Sequence, residues 1–258
     1  MTATAPIRVI DRPTLSDNAL RGRVILVTGA NRGIGRAVAQ YCAAAGAQVV
    51  LSGRTVKGLE KVDDEIRAAG GEPASLLPLD LLKATVDDYR AAADAVREAF
   101  GRIDGLAHIA GLLGEMSRIE DYPPMTWHNV MHVNVSAPFL LTQAMLPLMS
   151  GSPGSSIVFT SSGVGRAGRA HWGAYAVSKF ATEGLMQTLA DECDGQPRVN
   201  ALNPGATRTV MRRSAYPAED PTVLATPADI APAFAYLLST DSADIHGQTL
   251  DAQPPRKK

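Results

Sequence analysis

The sequence predicts a doubly wound α/β domain, a parallel sheet with helices on both faces. Short, continuous apolar runs rich in β-branched residues alternate with longer stretches of helical periodicity from about residue 23 onward. Such runs suit strands buried on both faces, and parallel strands need crossover connections of helical length. A glycine-rich turn, TGANRGIG at 28–35, follows the first apolar run and opens the first helical stretch.

The elements follow in order. Residues 23–28 (RVILVT) make the first strand and 33–45 the first helix, closed by Gly46. Residues 47–52 are the second strand and 55–69 the second helix, ended by Gly70-Gly71. The third strand covers 74–80. Its helix has Thr85 as N-cap, Asp87 and Asp88 in the first turn, and stops at Gly101. Residues 105–110 and 156–161 are further strands, separated by a helical region over 124–149. Residues 173–191 are helical and 198–202 form a strand. Thr226 then caps a helix with Pro227 at its first position and Asp229 at its third. Residues 248–251 read as a last, edge strand. Residues 1–22 read as an N-terminal extension on the surface and 254–258 as a basic tail. Residues 23–258 are thus expected to form one domain, without internal repeats.

A chain of 258 residues, 45% hydrophobic and 20% charged, can bury a substantial core. A net charge of −1 gives no electrostatic drive toward nucleic acid or a membrane surface. Cys42 and Cys193 are too few for a disulfide framework and lack metal-ligand spacing, so buried or semi-buried thiols and no metal are expected. No apolar run is long enough to cross a bilayer, and residues 1–10 lack the pattern of a signal peptide. A cytoplasmic protein is the expectation.

The turn at 28–35 has its glycines, Gly29, Gly33 and Gly35, spaced G-x-x-x-G-x-G. At the first strand–helix junction of a doubly wound sheet, such a turn lets backbone N–H groups approach a pyrophosphate beside a helix N-terminus. Gly29, Asn31, Arg32, Gly33, Ile34 and Gly35 are the candidate cradle of a Rossmann-type dinucleotide site. The second strand ends Leu51-Ser52-Gly53-Arg54, with no carboxylate to bond a ribose 2′-hydroxyl. Arg54 and Arg32 instead favour a 2′-phosphate, which selects NADP(H) over NAD(H).

Tyr175 and Lys179 stand one helical turn apart, on one face. A tyrosine needs a neighbouring positive charge to work as an acid or base near neutrality. Ser162 closes an apolar strand thirteen residues upstream, at the sheet end where ligands bind. Asp80 ends the third strand, where a carboxylate can accept from an adenine amino group.

TGANRGIG, YAVSK at 175–179 and NPG at 203–205 together resemble the signatures of the short-chain dehydrogenase/reductase family, in its order and spacing, over residues 23–252. FTSSGVGRAGRAHWGAYAVSKFATEG, NPGATRTVMR and DAQPPRK are similar to the YciK-type subgroup of bacterial oxidoreductases. The resemblance implies Tyr175 as acid/base, Lys179 lowering its pKa and holding the ribose, and Ser162 orienting the substrate. It implies Asn134 as the residue whose backbone distortion holds a relay water. Leu81 joins Asp80, and Ala110 and Gly111 let the backbone approach the cofactor. Pro204, Gly205, Thr207 and Thr209 match the segment that grips the nicotinamide carboxamide. His108-Ile109 stand where the family usually has two asparagines.

The expected function is hydride transfer between NADP(H) and a small carbonyl or alcohol substrate. A non-catalytic nucleotide-binding scaffold, or an epimerase or dehydratase on the same fold, are the alternatives. Apolar residues on more than one face of the helices over 124–149 and 173–191 (Phe139, Leu140, Leu141, Met145, Leu148; Phe180, Leu185, Met186, Leu189) imply a homodimer or homotetramer. Arg166, Arg169, Arg208, Arg212 and Arg213 flank the expected mouth and would favour an anionic substrate, unless they brace loops instead.

Overall fold

The computed structural model describes residues 7–255. Its elements are β1 (Arg8–Val9), β2 (Val24–Thr28), α1 (Gly33–Ala44), β3 (Gln48–Gly53), α2 (Val56–Ala68), β4 (Ser75–Pro78) and α3 (Val86–Phe100), then β5 (Gly105–His108), α4 (Pro124–Met131), a π-helical turn (His132–Ser136), α5 (Ala137–Met149) and β6 (Ser156–Thr160). They end with α6 (Gly173–Cys193), β7 (Arg198–Asn203), α7 (Val210–Ala215), α8 (Pro227–Leu238) and β8 (Thr249–Asp251). The eight strands are all parallel, in the order β1-β8-β7-β6-β5-β2-β3-β4. Strand order reverses between β2 and β5, so a crevice opens at their carboxyl ends.

The continuous apolar runs are explained by alternation between two cores. Ile25 and Val27 point into the layer under α1, α2 and α8, while Val24 and Leu26 point into the layer under α3, α5 and α6. Val49 and Leu51 face the first layer and Val50 the second. Helix starts are fixed locally. Thr85 with Asp88, and Thr226 with Asp229, form reciprocal capping boxes.

Two expectations are corrected. Residues 248–251 are not an edge, because β1 from the N-terminal segment pairs in register outside β8, Arg8 with Leu250 and Val9 with Asp251. That segment is no mere surface extension: the Ile10 N–H donates to the Asp251 carbonyl at 2.7 Å, Ser16 bonds Asp241, and Leu20 is fully buried. Its short apolar stretches lie too far apart for periodicity to reveal them. The helical region over 124–149 is observed with those bounds, and a π turn between α4 and α5 inserts an extra residue that places Asn134 inside. Single π turns inside helices recur at functional sites. Of the basic tail, residues 256–258 lie outside the described residues, as do residues 1–6 of the segment read for a signal peptide.

Leu20→Ala is expected to lower stability by about 2–5 kcal/mol in urea unfolding, the range for emptying a packed leucine site. Ile7→Ala, at a residue 41% exposed, is expected to change it by under about 0.5 kcal/mol. Equal, small effects would restore the surface reading.

Candidate active site

The site begins at the join of β2 and β5. The Thr28 hydroxyl donates to the Ala107 carbonyl at 3.2 Å and accepts from the Ile109 and Ala110 N–H groups at 2.9 and 3.2 Å. The sheet-edge bonding that an asparagine at 109 would supply is thus provided from the neighbouring strand, which frees Ile109 to pack in the core. His108 is held apart from chemistry. It stacks on Phe159 with ring centroids 4.8 Å apart, and its Nε2 lies 2.8 Å from the Thr142 hydroxyl. Burial, and then the Lys179 charge, pull its pKa down to about 3, so it is neutral.

Gly29 turns with φ +69°, and a Cβ there would lie 3.0 Å from the Ala110 backbone. A Cβ on Gly35 would lie 2.4 Å from the Gly29 carbonyl oxygen. Only glycine permits this folding of the turn onto the helix start. No side chain caps the N-terminus of α1, and its first turn carries no acidic residue. The N-terminal N–H groups and the positive end of the helix dipole are left for an anion. Arg32 and Arg54 flank this point, both exposed, and neither guanidinium is engaged by another described residue. By contrast, the neighbouring Arg36 pairs with Glu65 at 2.7 Å.

Asn31 and Asp80 also make local bonds. Asn31 Nδ2 donates to the Thr55 carbonyl and hydroxyl at 3.1 and 3.3 Å, bracing the turn against the start of α2. Asp80 Oδ1 accepts from the Leu82 N–H at 3.1 Å and caps its own loop, while Leu81 is buried beside it. Across the crevice, Gly205 (φ +71°) donates its N–H to Asn203, and the Pro204 carbonyl accepts from Gln253 at 2.6 Å. Thr207 is buried, and Thr209 caps α7 by accepting from the Arg212 N–H. The Thr209 methyl group would lie 3.7 Å from a Cβ on Gly33, so the 204–209 segment reaches the glycine turn.

Asn134 is buried and clamps the segment that leaves Gly111. Its Oδ1 accepts from the Leu112 N–H at 2.8 Å, and its Nδ2 donates to the Leu112 carbonyl and the Ser178 hydroxyl, both at 2.9 Å. Ser178 in turn donates to the Tyr175 carbonyl at 2.7 Å. Ser178 escaped the sequence reading, although it lies inside the YAVSK segment.

Tyr175 and Lys179 are buried on the inner face of α6, with Ser162 partly exposed beyond the end of β6. Burial pushes the Tyr175 phenol up to about 12, opposed by a hydrogen bond with the Ser162 hydroxyl. Lys179 Nζ donates to the Thr160 carbonyl at 2.6 Å and lies 5.6 Å from the centre of the Tyr175 ring. Burial pulls its ammonium down to about 8, opposed by the Glu183 charge. The 163–165 turn packs so tightly on α6 that a Cβ on Gly165 would lie 2.8 Å from the Lys179 Cβ.

The arginines expected to line the mouth are mostly engaged. Arg166 bonds Asp251 at 2.5 Å, and Arg212 binds Glu219 through two bonds of 2.6 and 2.8 Å while covering the Tyr216 ring at 3.8 Å. Arg169 donates to the Tyr216 hydroxyl at 2.6 Å, and Arg208 reaches the Thr222 and Leu224 carbonyls. The surface nearest Tyr175 is apolar, with Trp172, Leu113, Val164, Met211, Ala215 and Tyr216 packed around it. Trp172 lies 5.7 Å from the Tyr175 ring and 5.9 Å from that of Tyr216.

Among the described residues, no cluster of histidines, cysteines and carboxylates is suited to a metal, and no helix is long and apolar enough to cross a membrane. Both cysteines are unbridged.

Residues 23–220 match the short chain dehydrogenase family. The chain is 51% identical over 238 residues to the uncharacterized oxidoreductase YciK of Escherichia coli K12, covering 92% of this chain and 94% of that protein. A short chain dehydrogenase of Shigella flexneri 2a, solved in complex with NADP, superposes with a TM-score of 0.91 at 49% identity, over 93% of this chain and all of that one. Another from Escherichia coli CFT073, complexed with NADPH, gives 0.91 at 50% identity over the same shares. A sheet that reverses at its glycine turn, a serine, tyrosine and lysine gathered at its carboxyl edge, and this match over three quarters of the length lead to one conclusion: the chain belongs to the short chain dehydrogenase family.

Proposed function

We propose that this protein is an NADP(H)-dependent oxidoreductase that moves a hydride between the nicotinamide and a carbonyl or alcohol. The observation that carries this reading is the placement of Ser162, Tyr175 and Lys179 in one crevice with an uncapped helix N-terminus and two unengaged arginines. The residues fit the cofactor. The N–H groups at the start of α1 would hold the pyrophosphate, Arg32 and Arg54 the 2′-phosphate, and Lys179 the ribose next to the reacting ring. When bound, the cofactor supplies or accepts the hydride.

The rest of the chemistry belongs to the chain. With its phenol pushed up by burial, Tyr175 is protonated at neutral pH and donates its proton to the carbonyl oxygen as hydride reaches the carbon. Ser162 orients that oxygen by hydrogen bonding. The Lys179 ammonium, beside the ring, stabilises the phenolate left behind. Asn134 keeps α6 and the 111–112 backbone in register. The Asn134 carbonyl, in the π turn, accepts a long bond of 3.4 Å from the Thr182 hydroxyl and is the acceptor that a relay water would use.

The apolar wall and the engaged arginines support an uncharged substrate with an apolar or ring-bearing group, rather than an anion. Arg213 alone of the five has a side chain without a partner among the described residues. For association, Leu141, Met145, Leu148, Met186 and Leu189 turn inward, while Phe139 and Phe180 are each 46% exposed on neighbouring helices with Val177. That apolar patch supports pairing of two copies through α5 and α6.

Two substitutions are expected to separate binding from chemistry. In calorimetry and NADPH-oxidation assays, Tyr175→Phe should keep NADPH affinity and lose nearly all turnover on any accepted carbonyl. Arg54→Ala should lose about tenfold or more in NADPH affinity, approach the parent's affinity for NADH, and keep its turnover at saturation. Turnover surviving in the first, or equal affinities for both cofactors in the parent, would refute the corresponding assignment. A neutral ring ketone is expected to exceed a matched oxo-acid in kcat/KM, with about tenfold loss in Trp172→Ala. A preference for the acid that fades with salt would return the arginines to the substrate. Light scattering should find a dimer or tetramer at micromolar concentration, and Phe139→Glu with Phe180→Glu should shift it toward monomer; a monomeric parent would remove the interface.

A further inference from the structure

Behind Lys179, one turn further along α6, lies a carboxylate that the reaction scheme above leaves unused. Glu183 is buried, with its side chain 8% exposed. One of its oxygens accepts from the Ser161 hydroxyl, at the end of β6 and next to Ser162. The other accepts from the Thr249 hydroxyl on β8. Two hydroxyl donors on the two oxygens are the pattern of a carboxylate acting only as acceptor. Thus one side chain on α6 grips the carboxyl end of β6, which leads into the substrate-orienting serine, and the first residue of β8.

The surroundings supply a reason for a charge there. Lys179 is 5% exposed, and its only hydrogen-bond acceptor among the described residues is the neutral Thr160 carbonyl. An ammonium so buried needs a nearby negative charge to keep its proton. On their own helix, Lys179 and Glu183 have Tyr175 for company; β5 offers His108, which is neutral. After β6 comes Arg166, with Nε 3.8 Å from Glu183, and on β8 comes Asp251, paired to Arg166 and to Asn203. The π turn presents the neutral Asn134, while His128 and His132 line a groove on the outer surface with Leu82. Arg166 and Asp251 offset one another, so Glu183 is the counter-charge left for Lys179.

We propose that Glu183 is a positioning residue of the active site, tying α6 to the ends of β6 and β8 and keeping Lys179 charged and in place. The direction agrees with the charges: burial lowers the Lys179 ammonium to about 8, and Glu183 is what raises it. Removing the carboxylate therefore moves the lysine toward its neutral form at physiological pH. The inference rests on Lys179 serving the reaction as proposed, but its physical core needs no cofactor.

The test is a carbon-13 NMR titration of lysine-labelled protein. The chain has only six lysines, and the Lys179 signal is assigned by its loss in Lys179→Ala. The parent signal should titrate near pH 8, fall by about one unit in Glu183→Gln, and stay within a few tenths in Glu183→Asp. The alkaline limb of kcat/KM for NADPH should move with it. An unmoved midpoint in Glu183→Gln overturns the charge role. Thr249→Val cuts one strap bond and keeps the charge, so it should leave the midpoint in place and lower turnover about tenfold. Unchanged turnover there overturns the positioning role. Should Glu183→Gln fail to fold, Thr249→Val and Glu183→Asp carry the test by the same two readings. Because the titration is done without cofactor, its failure is distinct from failure of the NADP(H) reading, which the Tyr175 and Arg54 variants address.

Discussion

A parallel sheet has nowhere to place a ligand except beyond the carboxyl ends of its strands, and here those ends are held together by one hydroxyl. Thr28 makes three bonds across the gap where strand order reverses, and Gly29 packs directly on Ala110 beside them. The glycine turn thus lies against β5, and α1 points its uncapped end into the crevice. The 204–209 segment then meets the turn from the other side at Gly33. Each later feature of the site is placed relative to this join. A change at Thr28 would orphan two part-buried N–H groups as well as weaken a turn.

Much of this was legible in the sequence because the signals were local. The capping boxes at Thr85 and Thr226, the apolar runs of the central strands and the glycine turn all depend on residues a few positions apart. The Tyr175–Lys179 pair needed only helical periodicity. What stayed hidden depended on distant partners. No local pattern announces that Arg8 and Val9 find β8, or that Thr28 takes over the bonds an asparagine at 109 would make. The arginines of 166–213 show the same limit: composition counted their charge, whereas geometry decides it, through Asp251, Glu219 and the face of Tyr216. The π turn was invisible because its residues have ordinary helical propensities, and the extra residue becomes apparent only when Asn134 has to reach Leu112.

Charge in this protein is handled differently at the two ends of the sheet. At the carboxyl ends lie the buried Lys179 and Glu183, with the part-buried Arg166 and Asp251, arranged as alternating signs beside Tyr175. At the opposite ends, Arg23 and Arg198 are buried largely against backbone carbonyls. Arg23 reaches Asp104 and Gly154, and Arg198 reaches Leu237, Ser239 and Ser242 at the close of α8. Desolvation lowers both guanidinium groups, yet they remain charged because an arginine starts so high. One end satisfies its charges with backbone carbonyls, the other with side chains of opposite sign.

The pairing of β1 with β8 also has a consequence for the order in which the molecule is made. Residues 8–10 leave the ribosome long before their partners, 249–251. Until those partners emerge β1 has no template, and the sheet has to grow outward from β2 and β5 before its far margin exists. Contacts spanning nearly the whole chain carry the largest loop-closure cost, so this margin is set to close late. The outermost strand then acts as a seal laid down on a finished sheet, covering the backbone of β8 that would otherwise remain open to a neighbouring chain.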